Sequence, residues 1–192
     1  TEFYTLSLHD ALPIWSAKQA RSAGALLAAT ASQPVQHIYT SPLRRAVETA
    51  ELVAVQYHKA ICMTAGETEK KTMPITEPER IPVTDLQEMS LGDWDGQLLC
   101  EVKKKYPAQF ALRGRHLFTF KIGNHSENFF DMQYRAVNAL RQILREDASN
   151  EIVLVTHKGV IRALENRLKG KDVSDPWQPL GNGEIRVLGD KK

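Results

Sequence analysis

His37-Ile38-Tyr39-Thr40-Ser41-Pro42-Leu43-Arg44-Arg45-Ala46 is a short apolar strand that passes into a helix through a small polar residue, with arginines in the first helical turn. Glu151-Ile152-Val153-Leu154-Val155-Thr156-His157-Lys158-Gly159-Val160 repeats the arrangement with His157 and Lys158 at the junction. A helix N-terminus carries free N–H groups and a partial positive charge, so cations there are locally unfavourable. Two such junctions in one chain point to a shared anionic ligand, most simply a phosphate.

Outward from the first junction, Ser41 is a natural N-cap and Pro42 suits the first helical position, where its missing N–H costs nothing. That helix is predicted to run to about Tyr57, with Ala46, Thr49, Ala50, Val53 and Ala54 facing inward. Before it, Ser16 to Thr30 reads as a helix capped by Ser16, with Ala20, Ala23, Leu27 and Ala28 on one face. After it, Ile61 to Ala65 reads as a strand, and residues 66–82 read as a charged surface insertion without a period. Leu98 to Tyr106 is a short helix ended by Pro107, and Phe110 to Asn124 carries no clear signal. Ser126 is placed as the cap of a long helix to Asp147, with Phe129, Val137, Leu140 and Leu144 as core candidates. Around the second junction, Ile152 to Val155 is a buried-strand run. A helix follows from Gly159 to Lys169 with Gly170 as its stop, and Gly183 to Leu188 is a final strand. Alternating strands and helices predict a three-layer α/β/α sandwich with parallel strands. Ligands in such sheets sit at the carboxyl ends of the strands, where both basic junctions fall.

The 192 residues suit one such domain, and a net charge of +2 speaks against a nucleic-acid or membrane-surface partner. The two cysteines, Cys62 and Cys100, are too few for a disulfide framework. With no secretory pattern at the N-terminus, the expectation is free thiols and a cytoplasmic location.

Three residues carry the chemical reading. Arg45 can grip a phosphate through two parallel hydrogen bonds, although an exposed helix arginine reads equally well. His157 stands out from the other histidines because its setting repeats that of Arg45; a capping or core histidine is the alternative. Glu88 precedes the turn Gly92-Asp93-Trp94-Asp95-Gly96, and a carboxyl there can protonate a leaving oxygen. Locally it reads as an exposed loop glutamate. Asp93 and Asp95 are turn formers and Trp94 is a core residue. No histidine pair has metal-ligand spacing, so neither a metal nor another cofactor is expected.

Together these segments resemble the histidine phosphatase superfamily, the phosphoglycerate mutase-like family. Tyr39 to Ala50 is similar to its Ser-x-Leu-x-Arg-Ala-x-x-Thr-Ala motif. Leu86-Gln87-Glu88 with Gly92 to Gly96 is similar to its Leu-x-Glu and Gly-x-Trp-Glu-Gly segment, and Val155 to Leu164 to its second-histidine motif. The resemblance implies phosphate monoester hydrolysis through a phosphohistidine. Arg45 and His157 would bind the phosphoryl group, His157 would stabilise its oxygens, and Glu88 would be the proton donor. Where the family often has Gly-Gly-Glu-Ser, this chain has Gly123-Asn124-His125-Ser126. His125 and Ser126 are the weaker substrate-binding candidates.

The family's first strand ends in Arg-His-Gly, whose histidine is the nucleophile, and this chain has no such triplet. His9 is the nearest stand-in, with Leu8 in place of the arginine and Asp10, which repels phosphate, in place of the glycine. Residues 1–14 also resemble a sequencing adapter translated in one frame, and the family likeness starts abruptly after Trp15. The expectation is therefore a histidine phosphatase-like domain over residues 16–192, behind an artefactual segment 1–15 that has displaced the first strand and its nucleophile. The natural gene product would hydrolyse a small-molecule phosphate ester, and the chain as written would be inactive or weakly active. The alternatives are a non-catalytic phospho-ligand or partner-binding module of the same fold, and a mutase-type phosphotransferase.

Overall fold

A computed structural model describes residues 2–8, 13–64, 76–123, 125–149, 151–181 and 184–188. Its elements are β1 (Glu2–Leu8), α1 (Pro13–Thr30), β2 (His37–Thr40), α2 (Arg44–Thr64), β3 (Glu79–Pro82), α3 (Leu99–Lys105), α4 (Pro107–Arg115), α5 (Phe129–Glu146), β4 (Glu151–His157), α6 (Lys158–Leu168) and β5 (Ile185–Leu188), with single 3₁₀ turns at Thr84–Leu86 and Gly92–Trp94. The five strands form one sheet in the order β3-β2-β4-β1-β5. Strand β4 runs parallel to β1 and β2, and β3 is parallel to β2. Only β5 is antiparallel, along β1.

Every residue of β4 is buried, as a central parallel strand covered on both faces requires. Its side chains alternate between two cores. Ile152 and Leu154 join Leu86, Met132, Ala136, Leu140, Val160 and Leu164 under α5 and α6. Val153 and Val155 join Ala20, Ala23, Leu27, Ala50, Val53 and Tyr57 under α1 and α2. These two cores are the outer interfaces of the expected three-layer sandwich. Helices α1 and α2 touch backbone to backbone at Gly24, where a Cβ would lie 2.5 Å from the Val53 carbonyl oxygen.

Several boundaries differ from the sequence reading. Residues 2–8, the adapter-like stretch, form a strand inside the sheet, in the first-strand position that the sequence reading gives as lost or replaced. Helix α1 begins at Pro13, three residues before Ser16. Helix α2 continues through Ile61 to Thr64; the β-branched residues there suggest a strand, but no Gly or Pro interrupts the turn, and the Thr64 hydroxyl donates to the Ala60 and Ile61 carbonyls. The last four residues of the expected insertion, Glu79–Pro82, form the edge strand β3; most of the rest, 66–75, lies outside the described residues. Pro107 starts a helix as well as ending one, since its fixed φ suits a first helical position. Helix α5 is capped by Asn128, whose side chain accepts from Phe130 N and Asp131 N while the Asp131 carboxylate accepts from Asn128 N. The Ser126 hydroxyl instead accepts from Ile122 N at 2.6 Å. Leu140 is buried, whereas Leu144 is exposed, in a groove it lines with Val137, Leu164 and Leu168. Trp94 is buried as expected; it stacks with Tyr106 and meets the tilted rings of Phe110 and Phe120, anchoring the α3–α4 excursion.

Candidate active site

The two junctions meet. Strands β2 and β4 pair in parallel, and Ser41 N donates to Val155 O at 2.9 Å just where β2 ends. This brings the first turn of α2 beside the end of β4. Arg44 turns to solvent and pairs with Glu48. Arg45 turns the other way, and its Nη2 donates to His157 Nδ1 at 3.3 Å. The imidazole is 1 % exposed, and its Nε2 lies 2.8 Å from the Ser41 hydroxyl. Burial, then the charges on Arg45 and Arg135, lower the His157 pKa from 6.5 to about 3. The ring is therefore neutral at physiological pH, in a site that retains the full charge of Arg45.

Glu88 arrives from the opposite side. Strand β3 passes through the 3₁₀ turn at Thr84–Leu86, and the Thr156 hydroxyl donates to Leu86 O at 2.6 Å, tying this loop to β4 one residue before His157. The Glu88 carboxylate accepts from Met89 N at 3.0 Å. Its Oε1 lies only 2.6 Å from where a Cβ on Gly159 would stand. Gly159 is the second residue of α6, two positions after His157, so the carboxylate sits against the start of the helix that His157 precedes.

Two further residues hold that loop. Arg135 on α5 donates through Nη1 to the Asp85 and Gln87 carbonyls and through Nη2 to the Glu88 carbonyl, at 2.7, 2.9 and 3.2 Å. It also forks onto Glu127, with Nε to Oε1 at 2.6 Å and Nη2 to Oε2 at 2.7 Å. Glu127 clasps the far end of the same loop, since its Oε2 accepts from Ser90 N and its backbone N–H donates to Ser90 O. Burial would raise the Glu127 pKa, but the hydrogen bonds from Arg135 and Ser90 overcome this and leave it below the usual 4.5. Sequence reasoning misses both residues. The available signal is that Arg135 lies three residues after Met132, on the buried stripe formed with Ala136, Ala139 and Leu140.

Of the remaining candidates, Ser126 is buried and its hydroxyl is engaged with Ile122 N. His125 is exposed, and its carbonyl accepts from the Ser90 hydroxyl. His9 lies outside the described residues. Strand β1 ends at Leu8, in register with His157.

Known proteins resemble this chain in sequence and in fold. A sequence model of the histidine phosphatase superfamily (branch 1) matches residues 16–191. Phosphoglycerate mutase-like protein 4 of Arabidopsis thaliana is 29% identical over 137 residues, which cover 71% of this chain and 52% of that protein. The metal-independent phosphoserine phosphatase of the same plant is 28% identical over 131 residues, 68% of this chain and 48% of that protein. The chain thus spans about half the length of these curated relatives. The fold is shared with a mycobacterial glucosyl-3-phosphoglycerate phosphatase at a TM-score of 0.71 and 21% identity, over 98% of this chain and 88% of the other. The chain belongs to the histidine phosphatase superfamily, branch 1.

Proposed function

We propose that this site binds the phosphoryl group of a small-molecule phosphate monoester between Arg45 and His157, with Glu88 as the acid for the leaving oxygen. The observation that carries the reading is the convergence of Arg45 and His157, 112 residues apart in sequence, at the ends of two parallel strands. A guanidinium supplies charge and paired donors to phosphate oxygens, and the glutamate lies against Gly159, two residues after the imidazole.

In the natural gene product the reaction is hydrolysis through a phosphohistidine. A histidine nitrogen forms a bond to phosphorus as the ester P–O bond breaks, Glu88 gives its proton to the departing oxygen, and water then takes the phosphoryl group from the histidine. The register of Leu8 with His157 supports delivery of that nucleophile from the end of β1. With Leu8 and Asp10 flanking His9, the chain as written turns over slowly or not at all. Phosphoserine, named for one relative, is the first ester to assay.

The double variant Leu8→Arg/Asp10→Gly completes the family triplet around His9. It is expected to gain phosphatase activity and an acid-labile, base-stable phosphoenzyme. A folded double variant that binds inorganic phosphate but forms no phosphoenzyme would favour the second reading, a phospho-ligand-binding module. The absence of Arg-His-Gly is the observation on that side.

A further inference from the structure

The ring of His157 has one donor-only neighbour and one ambivalent one, and together they define its protonation. Arg45 carries N–H donors and no acceptor, so the Nδ1 it faces must offer a lone pair. The neutral ring then carries its proton on Nε2 and donates it to the Ser41 hydroxyl at 2.8 Å. Ser41 is fully buried, and its oxygen also accepts from Leu43 N at 3.3 Å, which holds the hydroxyl in place at the start of α2. Nδ1 is consequently the ring atom directed at the anion site, and in the free chain it is unprotonated.

A lone pair cannot stabilise a phosphate oxygen; a proton there can. We propose that Ser41 is a positioning residue that fixes His157 in the Nε2–H form, so that a bound dianion draws a proton from solvent onto Nδ1 and the resulting imidazolium donates to it. This rests on the phosphate site proposed above and adds that occupation of that site is linked to proton uptake at one named atom. The charged groups that act on the ring are Arg45 on α2 and Arg135 on α5, and the Glu88 carboxylate lies two residues along, against Gly159. Both cations oppose protonation in the free site, and a dianion reverses that balance. Glu88 can also take up a proton, so the measurement must report on the ring itself.

Sulfate is the suitable probe, because it is a dianion that carries no proton into the site. In the ¹⁵N-labelled full chain, long-range ¹H–¹⁵N correlation distinguishes the two ring nitrogens of His157, assigned by comparison with His157→Gln. The free chain is expected to show Nε2 protonated and Nδ1 bare. Saturating sulfate, against a chloride control of equal ionic strength, is expected to move the Nδ1 titration midpoint up by about one unit or more, with about tenfold tighter sulfate binding on its acid side. Ser41→Ala is expected to give a mixture of the two tautomers and about fivefold weaker sulfate binding, the worth of one hydrogen bond. A fold defect alone would not exchange the tautomers while leaving the other histidine signals in place. An Nδ1–H ring in the free wild type, or sulfate binding that leaves the His157 titration unmoved, overturns the proposal while sparing the anion site. Sulfate that perturbs neither His157 nor the Arg45 guanidinium overturns both.

Discussion

The carboxylate of Glu88 occupies the space that a side chain on Gly159 would need, with Oε1 2.6 Å from the position of the missing Cβ. A loop residue and a helix residue 71 positions apart are thereby locked together at the start of α6, beside His157. The glycine keeps this space open for the acid: a larger residue pushes the carboxylate aside.

Gly159→Ala is accordingly expected to disturb chemistry more than stability. The obstructing atom is the end of a flexible side chain, and alanine favours the helix, so the melting temperature should stay within a few degrees. On the Leu8→Arg/Asp10→Gly background, hydrolysis of esters with poor leaving groups should fall about tenfold or more, with little loss on activated aryl phosphates. Glu88→Gln should show the same selectivity. Equal losses on both ester types would remove Glu88 as the acid.

Arg135 serves the same carboxylate from behind. Arg135→Ala takes the guanidinium from three loop carbonyls and from the Glu127 carboxylate, which keeps only Ser90 N, and is expected to cost about 2–3 kcal/mol in urea unfolding. Glu127 has a depressed pKa in the folded chain, so its contribution is present above the ordinary 4.5 and is lost as pH falls through the lower folded value. Arg135→Ala should therefore be least harmful, relative to wild type, at the acid end. A constant difference at all pH values would contradict the role given to the pair.

His157 imposes a second pH dependence, of defined sign. The folded ring stays neutral down to about 3, whereas an unfolded histidine takes up its proton near 6.5. Between these values the unfolded state binds more protons, so stability falls as the pH drops from 6.5 toward 3 and is flat above. His157→Gln should flatten that slope in denaturant midpoints measured across the window. Parallel curves for wild type and variant would show that the folded ring takes up its proton as readily as the unfolded one, contradicting its lowered pKa.

The two junctions were legible because strand-then-helix patterning is local, and because basic residues in a first helical turn are conspicuous against the helix dipole. The interior faces of α2 followed from spacing: Ala46, Thr49, Ala50, Val53 and Ala54 are all buried. Sheet order was not legible, since nothing local in Glu79–Pro82 announces pairing with β2. Local sequence offers Glu88 as an acid but reads equally as an exposed loop glutamate, because what places it is the empty volume at Gly159. Arg135 escaped notice because the carbonyls it holds lie 47 to 50 residues away. Ser41 reads as a cap in the sequence, which describes its contact with Leu43 N but not its bond to His157.

The most direct test is calorimetric titration of the full chain and of Arg45→Ala with inorganic phosphate. Saturable binding by the wild type, weakened about tenfold or more in the variant, is expected when a charge-assisted contact is removed. Equal affinity in the two chains would contradict a phosphoryl site between Arg45 and His157.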